Sequence, residues 1–143
     1  MATFNKFQDF AEQSLKGVHD LDGTHVIKVA LTNTAPVATQ TGWNTTDHPA
    51  PLVAIGYPAG GLATTPTLSE TGGTAKLVLS DVTFTAAGGV IGPFRYAVVY
   101  NDSAVSPAKA GIGWYDYGSA ITLADGEQLI VDFDAVAGVL TLA

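Results

Sequence analysis

The sequence predicts a mainly β fold: one antiparallel β-sandwich or jelly-roll-like domain over residues 1–143, with one short N-terminal α-helix. Three observations point there. Short runs of alternating apolar residues recur along the chain, turn residues separate them about every ten positions, and a helical period is confined to the start. A chain of 143 residues, 47% of them hydrophobic, is long enough to bury one core.

The helix comes first. Phe4, Phe7, Ala11, Leu15 and Val18 follow one helical face and Phe10 broadens it, which predicts a helix over residues 3–17, within an N-terminal segment 1–18. Thr3 or Asn5 can cap its start, Asn5 and Gln8 have capping-box spacing, and Gly17 is a natural stop. After the turn at residues 20–23 the period becomes alternating, giving a strand over residues 24–32. Residues 33–61 carry Pro36, Pro49, Pro51 and Pro58 and show no period. They read as an extended arm with one helical turn at 51–55, mobile until a partner orders it.

Strands follow at 62–70 and 74–79 around Gly72 and Gly73, then at 82–86, 94–100 and 111–117. A hairpin joins 120–123 to 128–133 around Asp125 and Gly126, and 139–142 closes the chain. Alternation places Phe94, Tyr96, Val98 and Tyr100 on one face and Arg95, Ala97 and Val99 on the other. It places Leu129, Val131 and Phe133 in the core, opposite Asp132 and Asp134.

Charge narrows the function. Thirteen acidic against six basic side chains give a net charge of −7. From residue 102 onward Asp102, Asp116, Asp125, Glu127, Asp132 and Asp134 face only Lys109. Binding phosphates needs clustered Lys and Arg, so neither direct nucleic-acid binding nor an anionic membrane surface is expected. A basic patch on a partner protein is the better match. No apolar run approaches the ~18 residues of a membrane span, and no charged-then-apolar leader pattern opens the chain. The absence of Cys removes disulfides, thiolate metal sites and cysteine nucleophiles.

A search for chemistry returns no catalytic set. There is no nucleophile elbow, Walker loop or dinucleotide fingerprint. Gly56–Gly61 lacks the Lys that reaches a phosphate, and Gly111 and Gly113 sit inside a strand, where glycine marks a bulge or close backbone approach. His19, Asp20, Asp22 and His25 fall within seven residues, but their spacing fits no zinc or calcium pattern and a polar turn accounts for them. His19, His25 and His48 are not expected to converge, and no metal or cofactor is expected. Asp132 and Asp134 share a strand face, as glycosidase carboxylates can, but they equally form the polar side of a sheet. Trp114, Tyr115 and Tyr117 can offer a sugar platform, although alternation sends one aromatic set into the core. The emphasis falls on contact surface, with Phe4, Phe7, Phe10, Trp43, His48 and Tyr57 as protein-contact candidates.

Four segments, Met1–Phe7, Val29–Ala38, Ile91–Asp102 and Gly113–Glu127, together resemble a small structural protein common in tailed bacteriophages. The resemblance spans nearly the whole chain and departs most at Thr41–Pro51, which holds Trp43 and His48. It implies a virion component and no enzyme. Capsid decoration, or cement, proteins are similar in size, acidity and β-sandwich character. They imply a location on the capsid exterior after synthesis in the host cytoplasm, the major capsid protein as partner, and a homo-oligomer, dimer or trimer. A tail, neck or fibre component is the alternative within the virion, and a carbohydrate-binding module the alternative outside it.

Overall fold

The computed structural model describes residues 3–143, and among them eleven strands and one helix. The elements are β1 (Thr3–Lys6), α1 (Asp9–Leu15), β2 (Ile27–Thr32), β3 (Val53–Ala54), β4 (Leu62–Thr64) and β5 (Pro66–Thr71). They continue with β6 (Thr74–Leu79), β7 (Val82–Thr85), β8 (Ile91–Asn101), β9 (Gly111–Leu123), β10 (Gln128–Val131) and β11 (Leu140–Leu142). The fold is mainly β, with antiparallel sheets in a sandwich-like arrangement. One large sheet runs β1-β9-β8-β2-β4, with β3 added beside β8. Opposite it lie the three-stranded sheet β11-β6-β5 and the two-stranded sheet β10-β7.

The main core fills the space between these layers. Val29, Leu31, Ala97, Val99 and Ile112 of the large sheet meet Leu77, Leu79, Val82, Phe84, Val131 and Phe133 from across. Alternation is what delivers these residues, because every second side chain of a strand points to one layer. Val131 and Phe133 are buried, Leu129 packs beside them, and Asp132 and Asp134 are exposed, as the sequence predicts.

Several expectations change. The helix lies inside residues 3–17 but is only Asp9–Leu15, and Thr3–Lys6 is instead a strand paired with β9, Phe4 opposite Tyr115. The phenylalanine spacing that looks helical therefore spans a strand, a turn and a helix, and Leu15 is 87% exposed. The run at 62–70 breaks at Thr65 into β4 and β5, which join different sheets. Residues 111–123 form one strand, and the turn after it does not close a hairpin: β10 pairs with β7. The 51–55 stretch is a short strand instead of a helical turn.

Strand β8 also departs from simple alternation. Its ladder with β9 is interrupted on both sides of Phe94. Across that irregularity Phe94 joins the main core with Ala97 and Val99, while Tyr96, Val98 and Tyr100 line the other face of the sheet. Those three are buried too, so the large sheet is covered on both faces.

Candidate contact surface

The cover on the outer face is the chain's own arm. Residues 41–43 lie antiparallel to residues 109–111: Gly111 N–H donates to the Thr41 carbonyl at 3.0 Å, and Trp43 N–H donates to the Lys109 carbonyl at 2.9 Å. Lys109 holds a left-handed backbone (φ 51°), uncommon for a side chain with a Cβ, where the arm docks. The arm is thus folded down along the sheet, contrary to the expectation of an extension ordered by a partner.

Aromatic rings seal this contact. Trp43 stacks on Tyr100 with centroids 4.8 Å apart and planes 9° from parallel, and the Lys109 ammonium lies 6.0 Å from the Trp43 centroid. Phe7 is fully buried against Trp114 (4.8 Å) and near His48 (6.4 Å). A Cβ on Gly111 would come within 2.6 Å of the Phe7 ring, and one on Gly113 would overlap the Asn5 carbonyl oxygen. Both glycines therefore permit close approach of the N-terminal segment, as their place within a strand suggests.

His48 organises the arm from within. Its Nδ1 accepts the Asn44 N–H at 3.4 Å, so Nε2 carries the proton and donates to Gln40 Oε1 at 3.0 Å. Gln40 Oε1 also accepts the Val37 N–H, and Asn44 Oδ1 accepts the Thr46 and Asp47 N–H groups. Burial holds the His48 pKa below its ordinary value, which favours the neutral ring this network needs.

Two other histidines do come together, against expectation. Asn101 Nδ2 lies 2.9 Å from His25 Nδ1 and 3.3 Å from His19 Nδ1, and it ties the segment after α1 to the end of β8. His48 is elsewhere. His19 packs on the Phe10 ring, its Nε2 is buried with no hydrogen-bond partner, and burial with the nearby His25 pushes its pKa down to about 4. No group of three or more His, Cys, Asp or Glu side chains able to hold a metal occurs among the described residues.

The sequence-derived contact residues thus divide. Phe7, Phe10 and His48 are buried within the chain, while Phe4, Trp43 and Tyr57 are partly covered. Phe4 packs edge-on to Tyr115, and the Tyr57 hydroxyl accepts the Leu31 N–H at 2.9 Å. The sugar-platform rings are also largely used internally, with Trp114 against Phe7 and Tyr115 between Phe4 and Phe133. What remains outward is different. Leu52 (88% exposed), Val53 and Ile55 are exposed in and beside the short strand β3. An open groove of about 900 Å³ lies between the β1–β9 wall and β10. A neighbouring groove shares Asp132 with it and adds Asp81 and Asp134. Sequence reasoning missed these because exposed apolar and acidic positions become a surface only when the fold joins them.

No protein-family model, curated protein or solved structure matches this chain.

Proposed function

We propose that this chain is a structural component of a tailed-bacteriophage virion, a decoration protein that sits on the outer capsid and stabilises contacts between major capsid subunits. One observation carries the reading. The four segments that resemble phage structural proteins contain β1 and β8 and most of β2 and β9, which are four adjacent strands of the large sheet. The resemblance therefore follows one structural framework, and its weakest part, Thr41–Pro51, is a loop laid over that framework.

The physical features agree with such a role. A net charge of −7 suits the outside of a shell better than its DNA-facing side. Leu52, Val53 and Ile55 offer apolar area to a neighbour, and burying such area contributes about 25 cal/mol per Å². A protein that binds only the assembled lattice stabilises it by mass action. Co-sedimentation tests this with purified chain, assembled shells and unassembled capsid subunits. The reading expects binding to shells, loss of binding in Leu52→Asp, and release of DNA at lower temperature from virions lacking the protein. Binding to neither form contradicts it. Attachment only to tails or necks would move the protein to those structures.

A further inference from the structure

We propose that the free edge of β10 and the groove beside it take up an extended, Lys- or Arg-bearing segment of a partner protein as an added strand. Among the described residues, strand β10 pairs on one side only, with β7. Ala86 N–H donates to the Glu127 carbonyl, so in the antiparallel alternation residues 127, 129 and 131 face β7. The amide groups of Gln128 and Ile130 consequently point away from β7, toward the open edge. Such an edge is a template for a further strand, whose main chain supplies affinity while its alternate side chains supply specificity.

The surroundings select the occupant. The groove is bounded by Thr3 and Asn5 on one wall and by Ile130, 56% exposed, on the other. Tyr115 and Tyr117 also line it, and neither hydroxyl has a hydrogen-bond partner among the described residues. Asp116 is already held by Arg95, at 2.7 and 3.1 Å, but Asp132 forms no ion pair among the described residues. Asp81 and Asp134 lie in the adjoining groove, and among the described residues no Lys or Arg lines either groove. The negative field reaches the site: burial, then Asp132, Asp134 and Asp81, push the Tyr115 hydroxyl up to about 12. A cationic side chain on an incoming strand relieves this field. A second copy of this chain does the reverse, because it brings Asp132 and a net charge of −7 against the same carboxylates.

This inference rests on the virion reading only for where the segment is found, namely on a capsid subunit. A short peptide of alternating Lys and Val tests the edge itself, with an otherwise identical Glu peptide as control. Binding is read by fluorescence anisotropy and by amide exchange in the wild-type chain. The Lys peptide should bind, the Glu peptide should not, and the Gln128 and Ile130 amides should become protected. Asp132→Asn should weaken binding about tenfold. Ile130→Pro removes an N–H that does not pair with β7, so it should abolish binding while leaving the melting profile close to wild type. Protection at the two amides decides the matter even if that variant fails to fold. The inference is overturned if the Lys peptide does not bind, if it binds without protecting those amides, or if the chain instead self-associates through β10. Because no capsid is present in the assay, these results stand apart from the shell-binding experiment.

Discussion

On its inner face the large sheet meets aliphatic and phenylalanine side chains from across the core, whereas on its outer face it meets a hydrogen-bonded loop of its own chain that stacks Trp43 on Tyr100. The inner contact is a continuous apolar core whose stability follows from area removed from water. The outer contact combines stacked rings with polar groups that must be paired once buried, such as His48 with Gln40 and Asn44. The difference teaches that the two faces of one sheet are sealed by different physics, one by apolar area alone and the other by stacking plus paired polar groups. The inner face holds the domain together, and the outer face carries the Thr41–Pro51 segment, docked through Trp43 and His48.

The largest effect should come from the inner face. Phe94→Ala empties a fully buried position and should cost about 3–5 kcal/mol in urea unfolding. A loss close to that of an outer-face variant would erase the contrast. Trp43→Ala removes the stack on Tyr100 from a partly exposed position and should cost less, about 2 kcal/mol. Its sharper signature is local: amide exchange at residues 41–48 should rise while β6, β8 and β10 stay protected. Uniform acceleration across the chain would mean that the two covers unfold as one unit.

Acid should act through a smaller, polar contribution. His19 titrates near 6.5 when unfolded and about 4 when folded, so the unfolded chain takes up its proton first. The stability linked to neutral His19 is complete above pH 6.5 and is lost as pH falls toward 4. The neighbouring groups are His25, which reinforces the shift, and Asp9, which opposes it. Thermal melts of the wild type should therefore decline across this window more steeply than those of His19→Asn. Equal slopes would remove His19 from the account.

The inner face was legible and the outer face was not, for physical reasons. Period-two alternation at residues 128–133 reports burial directly, and Gly72 and Gly73, with φ of 59° and 85°, make the two-residue turn that their sequence suggests. In contrast, Phe4, Phe7 and Phe10 at threefold spacing mimic a helix face, and only pairing with the distant β9 makes Phe4 part of a strand. The docking of the arm depends on Gln40, Asn44 and His48 meeting one another, and the histidine cluster depends on Asn101, more than seventy residues away from His25. Asn44, Thr45, Thr46 and Asp47 carried a usable signal, since Asn readily caps such a turn through its side chain. Nothing in local sequence placed Asp132 beside Ile130 and Tyr115 in an open groove.

Counting copies of the chain in purified virions by quantitative mass spectrometry tests the proposed decoration of an assembled capsid most directly. The account predicts copies in stoichiometric proportion to the major capsid subunit, lost together when the outer shell is stripped. Only a few copies per particle, or copies that remain with isolated tails, would contradict it.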